Sequence, residues 1–256
     1  MNASTSWRVS SLWCYPVKSM QGEERNELLF EAGGVEGDRQ YGVLDVEANT
    51  VLSAKREGRL LDAAASLAGG ELLVTLPDGR SFNEGEPLDE VLTSWLGRPL
   101  RLVDSASFGA ATYEAHEDSE DDDSPLVTWE GLRGSFVDES ALHLMTTLDI
   151  DQLVRERPDL QWEARRFRPN VLMEPVADSP LPLEPGMRVA VGECEIAIAK
   201  GCTRCVMTTR PQPGALERQL EILRHVSRYH DGAVGVRASV VRTGTVRIGD
   251  PVCVLG

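Results

Sequence analysis

The sequence is short of positive charge. Its 26 Lys and Arg face 41 Asp and Glu, a formal net charge of −15. Sequence-independent nucleic-acid binding and adhesion to an anionic membrane both need basic surface, so neither partner is expected. Long apolar runs are missing too. Nowhere do about 18 apolar residues follow one another, and the opening MNASTSWRVSSLW has no hydrophobic centre, so neither a membrane span nor a secretory leader is expected. Cysteine is scarce. Cys14, Cys194, Cys202, Cys205 and Cys253 are too few and too scattered for a disulfide framework in 256 residues, which points to a reducing, cytoplasmic compartment. No internal repeat is visible.

What is present describes an ordinary globular chain, 41% hydrophobic and 26% charged, long enough for one large or two small domains. Trp7 to Val17 reads as a strand stopped by Pro16, with Lys18 and Ser19 at its end. Glu27 to Phe30 and Gln40 to Asp45 read as strands around a glycine-rich turn, Gly33 to Arg39, whose glycines permit positive φ or close backbone approach. Short β-like runs, Leu72–Leu76 and Leu100–Val103, flank a helix expected over Leu88–Leu96. The acidic run Glu117–Asp123 is expected to be a solvated, mobile loop, and it suggests a boundary between residues 1–124 and 125–256.

In the second half, Ala141–Met145 reads as a buried strand, followed by a helix through about Arg157 that Thr146 or Thr147 can cap. Phe167-Arg168-Pro169-Asn170 leads into a strand at Val171–Met173. Leu216, Leu220, Leu223 and Val226 recur at helical spacing, predicting a helix over Ala215–Tyr229. Ala233–Leu255 is rich in β-formers. Many short strands and few helices indicate a mainly β, α+β chain with barrel-like architecture.

The stretch Lys200-Gly-Cys-Thr-Arg-Cys-Val-Met-Thr-Thr209 stands apart. Val189–Lys200 before it alternates as a strand should, so Cys202 and Cys205 are expected on a loop at a strand end, with Arg204 between them favouring thiolate. A thiolate here has three uses: soft-metal ligand, redox or persulfide carrier, or plain packing. Zinc held by Cys202, Cys205, His225 and His230 fits poorly. The cysteine–histidine interval exceeds finger spacing, and residues five apart on a helix sit roughly 140° around it, so the two histidines converge only if the helix ends early. A thioredoxin-like site needs a helix after the motif, whereas Val206–Pro211 looks extended. There remains a set of anion-friendly groups at strand ends: Lys18, Ser19, Arg39, Arg168, Asn170, Thr203 and Arg204. Together beside a thiol they suggest a cofactor pocket.

Five segments, taken in order, carry a resemblance: Tyr15-Pro-Val-Lys-Ser-Met20, Gly37-Asp-Arg-Gln-Tyr-Gly42, Arg166-Phe-Arg-Pro-Asn170, Gly201-Cys-Thr-Arg-Cys-Val-Met-Thr-Thr209 and Gly244-Thr-Val-Arg-Ile-Gly-Asp-Pro-Val252. They resemble the MOSC family. The whole chain is similar to the arrangement of an N-terminal β-barrel domain plus a MOSC domain found in amidoxime-reducing proteins and their bacterial relatives. The resemblance implies a molybdenum cofactor, with Cys205 as the metal's protein thiolate. It also implies Lys18, Ser19, Arg39, Arg168, Asn170, Thr203 and Arg204 as cofactor contacts, and an acidic residue near the metal at Asp138, which relays protons or merely caps a turn. The implied reaction is two-electron reduction of an N-hydroxylated or N-/S-oxide substrate by oxygen-atom transfer, the cofactor carrying the hard chemistry. No C-x4-C-x2-C ferredoxin pattern follows Pro251-Val252, so electrons are expected from a separate ferredoxin or flavoprotein. The alternative within the same family is a sulfur-carrier or cofactor-handling module working through a cysteine persulfide. Val234-Gly-Val-Arg237 departs from the relatives' usual aromatic or amide-bearing pattern.

Overall fold

The computed structural model describes residues 4–85, 87–176 and 180–255. Its larger unit is a closed seven-stranded barrel. Going round, the strands are Val171–Pro175, Leu142–Thr146, Ala233–Arg242, Cys194–Thr203, Arg188–Val191, Pro251–Leu255 and Ser4–Cys14, which pairs back onto Val171–Pro175. One junction is parallel, Leu142–Thr146 beside Val171–Pro175, and helices lie in the crossover between these strands because parallel neighbours cannot be joined by a tight hairpin. The inward side chains include Val9, Leu12, Leu144, Val171, Met173, Val189, Ile196, Ile198 and Val252, all essentially buried. Pairs such as Val171 and Met173 or Ile196 and Ile198 come at alternate positions, while a register shift between Val9 and Ser11 separates Val9 from Leu12 by three, so the apolar alternation read from sequence largely marks the barrel interior.

The first strand stops at Cys14, ahead of Pro16, and the chain then crosses into a second unit. There Tyr41–Asp45 pairs with Leu100–Asp104 and Thr50–Val51, and Ala64–Ala68, Glu71–Thr75 and Ser81–Asn83 form another small sheet. Helix Leu88–Leu96 covers this unit's core with Leu88, Leu92 and Leu96, spaced one turn apart, and ends at Gly97 in the left-handed conformation (φ 75°). The architecture is mainly β with helical additions, as expected. Among the described residues no helix is long and apolar enough to cross a membrane.

Several local expectations change. The helix predicted from Ala215 begins at Leu220, because Ala215 itself takes a positive φ of 65° behind Pro213-Gly214. Val206–Thr209 is not extended but forms a 3-10 turn following Cys205. The acidic run is exposed yet tethered: Glu120 pairs with Arg224 at 2.5 Å, and Asp122 with Arg210 at 2.6 Å and Arg218 at 3.0 Å. Arginines distant in sequence, in helix Leu220–Tyr229 and the loop before it, hold the acidic hairpin end, which composition alone could not show.

Helix Thr147–Glu156 starts with a reciprocal cap. Thr146 Oγ1 accepts from the Asp149 amide, while the Asp149 carboxylate accepts from the Thr146 amide. Replacing Thr146 with Ala should remove about 1 kcal/mol of stability. Urea unfolding is expected to show a lower midpoint with unchanged slope, and an unmoved midpoint would refute the cap's contribution.

Candidate functional site

The barrel seam positions the site. Trp13 donates its amide to the Asn170 carbonyl at 2.9 Å, so the loops that follow Ser4–Cys14 and precede Val171–Pro175 leave the barrel side by side. Arg39 then donates its amide to the Tyr15 carbonyl (2.8 Å), and Lys18 to that of Tyr41 (2.8 Å), binding the glycine-rich turn to the same place. On the facing side, strand Cys194–Thr203 slips register against Ala233–Arg242 between Ile198 and Lys200 and again between Gly201 and Thr203. Such bulges twist a strand and re-aim its end. The outcome is one cleft lined by Lys18, Ser19, Arg39, Asp138, Arg168, Asn170, Thr203, Arg204 and Cys205, together with Ser53, Phe136, His143, Cys202 and Arg237. Every residue that the sequence suggested for a cofactor pocket is in it.

Its electrostatics run against those of the chain as a whole. Lys18 is buried, donating to the Phe136 carbonyl and to Asp138 Oδ1, both at 2.7 Å, and lying 4.2 Å over the Tyr113 ring. Lys55 approaches the other Asp138 oxygen at 3.3 Å. Burial disfavours the Asp138 carboxylate, but the two lysine charges outweigh it and hold its pKa below the ordinary carboxylate range. Arg39 pairs with Asp38 at 2.5 Å, and the Arg39 and Arg168 guanidinium groups lie 4.4 and 4.1 Å from the Tyr15 ring, a contact that partly compensates buried cations. Burial, then the neighbouring Arg39 charge, lowers the Arg168 pKa to about 10, so Arg168 stays charged at neutral pH. Arg168 Nη1 donates to the Met20 carbonyl at 2.6 Å, whereas Arg168 Nη2 and Arg204 Nε are buried without a hydrogen-bond partner among the described residues. Unsatisfied cationic donors of this kind are costly unless an acceptor meets them.

The two cysteines differ. Cys202 is buried and accepts from Arg204 Nη1 at 2.8 Å, while Cys205 is partly exposed in the cleft. Arg204 also donates to the Phe167 carbonyl at 2.7 Å and lies 3.4 Å from His143 Nε2. Asn170 works mainly as a stitch: its Oδ1 accepts from the His143 amide and its Nδ2 donates to the Trp13 carbonyl. Ser19 Oγ accepts from the Ala54 amide. Ser19, Arg39 and Arg168 all hold positive φ (68°, 49° and 57°) without being glycine. Each such residue costs about 1–3 kcal/mol, a cost that clusters where side-chain placement matters more than local ease. Gly235 is held at φ 73°, and a Cβ there would lie 2.6 Å from the Leu144 carbonyl and 2.7 Å from His143 Nε2, so only glycine lets this strand pass behind His143.

Sequence reasoning left out His143, Lys55 and Arg237. His143 is a lone polar residue in an apolar strand, Lys55 lies in a loop with no motif, and Arg237 was visible only as part of a departure from a pattern. Their membership follows from three-dimensional placement. His225 and His230, conversely, lie outside the cleft.

Fold and cleft together define a two-part β protein carrying a basic, thiol-bearing pocket where its parts meet. The chain belongs to the MOSC family: the MOSC domain model matches residues 131–253, and the MOSC N-terminal beta barrel domain model matches residues 6–88. It is similar to mitochondrial amidoxime reducing component 2 of Rattus norvegicus, 24% identical over 95% of this chain and 82% of that protein. Mitochondrial amidoxime-reducing component 1 of Homo sapiens is 25% identical over 97% of this chain and 83% of that protein. Molybdenum cofactor sulfurase of Oryza sativa is 25% identical over 86% of this chain, which spans 30% of that longer protein.

Burial, followed by the Arg204 charge, pushes the His143 pKa well below its ordinary 6.5, so the imidazole is neutral in the fold. The unfolded chain therefore binds the extra proton below about pH 6.5, and stability falls as the pH drops. The loss of unfolding free energy from about pH 7.5 to pH 5 should be smaller in His143→Gln, by up to about 2 kcal/mol. Identical pH slopes in denaturant titrations of the two proteins would show that His143 is not held neutral.

Proposed function

We propose that this protein is a molybdenum-cofactor-dependent oxidoreductase that reduces N-hydroxylated or N-/S-oxide compounds by oxygen-atom transfer, with electrons from a separate cytoplasmic donor, a ferredoxin or flavoprotein. The observation that carries the reading is a surplus of buried, under-satisfied cations beside one accessible thiol in an otherwise acidic protein. That donor set fits the cofactor. Arg39, Arg168 and Lys18 suit a pterin phosphate, Arg through paired N–H donors and Lys as a point charge. Ser19, Asn170, Thr203 and Arg204 complete the proposed contacts, and Cys205 offers a soft thiolate for molybdenum. When bound, the cofactor supplies the two-electron oxygen-transfer chemistry.

The chain's own residues supply binding and protons. Asp138 is ionised and held by two lysines, so the transferable proton of this group resides on Lys18 Nζ, and Asp138 serves as its acceptor partner. Phe136 and Tyr113 bury the Lys18 end of that pair, while Asp138 stays partly open to the cleft. In the same reading residues 1–124 form the N-terminal barrel-like unit and 125–256 the MOSC unit, with Ser4–Cys14 lent to the latter's barrel. The names of the amidoxime-reducing relatives support the substrate class. The sulfurase relative favours a second reading, in which Cys205 carries sulfane sulfur and no N-oxygenated substrate is turned over.

Expression in a host that makes molybdenum cofactor, followed by metal analysis, separates the two. Wild type should hold about one molybdenum per chain, and Cys205→Ala at least about tenfold less. Arg168→Met should also lose most of its metal while keeping the thiol. A wild type free of molybdenum but carrying cyanide-labile sulfur on Cys205 would replace the reductase reading with the carrier one.

A further inference from the structure

Outside the cleft, two helix ends bring three potential metal ligands together. Glu156 is the last residue of helix Thr147–Glu156; His225 lies within helix Leu220–Tyr229, and His230 directly follows it. Both imidazoles turn the same ring nitrogen, Nε2, to the same carboxylate oxygen: His225 at 2.8 Å and His230 at 2.7 Å from Glu156 Oε2. All three donor atoms lie within 4.8 Å of one another. The convergence that an unbroken helix forbids occurs because this one stops at Tyr229. His230 and Gly232 both donate their amides to the Val226 carbonyl, and Asp231 and Gly232 take positive φ of 51° and 72°, which curls the chain back over the helix end.

We propose that Glu156, His225 and His230 form a binding site for a zinc-type divalent cation, clamping the two helices together. Two imidazoles and one carboxylate are the ligand set of open, three-residue zinc sites, in which solvent or a further ligand takes the fourth position. A tetrahedral zinc with ligands at about 2.0–2.1 Å needs donor atoms about 3.3 Å apart. The two histidine–glutamate contacts, 2.8 and 2.7 Å, lie near that spacing, and the third pair of donor atoms is within 4.8 Å. The supporting groups are also in place. Gln152 donates to Glu156 Oε1 at 2.9 Å, leaving Oε2 for the cation. His225 is wedged between the rings of Trp162 and Tyr229, 5.7 and 4.9 Å away, which fixes its plane. Second contacts of this kind orient metal ligands and raise affinity. Glu156 and His230 keep 33% and 16% of their side chains exposed, so a cation can enter from solvent. None of the three lines the cofactor cleft, so the site is independent of the reductase reading.

The test is zinc titration of chelator-treated protein, with Co(II) as a coloured substitute. Wild type and Cys205→Ala should each bind one equivalent, and the Co(II) form should show the intense visible bands of four-coordination. His230→Ala, the more exposed imidazole, and Glu156→Gln, which preserves volume, should each weaken zinc roughly a hundredfold. Zinc at about a hundredfold excess over the wild-type Kd should raise the wild-type melting temperature by about 5 °C and that of either variant by no more than about 1 °C. The proposal is overturned if wild type takes up no zinc, if uptake disappears with Cys205→Ala, or if it survives in both His230→Ala and Glu156→Gln while their circular dichroism matches wild type.

Discussion

The pairing of the first strand, Ser4–Cys14, with Val171–Pro175 closes the barrel, and much else depends on that seam. Without it the barrel would have two open edges, each presenting unpaired backbone groups. With it, the chain must leave the barrel at Cys14 beside the point where Asn170 enters. Lys18 and Ser19 are thereby brought next to Arg168, from the second half of the sequence. The second unit packs where it does because its strand Tyr41–Asp45 is reached through the turn that hydrogen-bonds to Tyr15 and Pro16. Closure, domain placement and the cleft are consequences of one set of backbone hydrogen bonds.

The cleft is an electrostatic exception within an acidic molecule. Its cations are kept in place by different means: Lys18 by Asp138 and a main-chain carbonyl, Arg39 by Asp38, Arg168 by the Met20 carbonyl and the Tyr15 ring. These partners orient the charges, and at Arg168 they leave one buried donor unsatisfied. Left-handed backbone at Ser19, Arg39 and Arg168 adds cost of the same sign. The barrel core, packed on Val171, Met173, Ile196 and Ile198, supplies the stability that tolerates this local cost. The acidic hairpin end joins this scheme from outside: Arg210 holds both Asp122 and the main-chain carbonyl of Lys55, the same lysine whose side chain braces Asp138.

Most strands and two helices were legible because burial imposes a period that side chains must follow. Leu88–Leu96 was readable from its four-residue spacing, and Thr146 as a cap from the polar residue ahead of an apolar helix. The start of helix Leu220–Tyr229 was not, since Leu216 keeps the helical interval while Ala215 adopts a conformation that no spacing reveals. The 3-10 turn after Cys205 was hidden for a similar reason. Its threonines bond back to main-chain carbonyls, Thr208 to that of Cys205 and Thr209 to that of Val206, which favours a tight turn over an extended run.

The sequence by itself determined the mainly β class, the acidic balance, the thiol pair and the cationic residues gathered at strand ends, because these depend on composition and on neighbours a few positions away. Five ordered segments were also enough to carry the family resemblance. Only the tertiary structure decided which of those residues share a cleft, that Arg204 bonds to Cys202 while Cys205 stays accessible, and that Lys55, His143 and Arg237 join them. It alone decided that His225 and His230 meet, and that they meet on Glu156. The physical reason is the same throughout. Burial, pairing and charge compensation are set by distances between residues far apart in the chain, and those distances exist only once the barrel has closed.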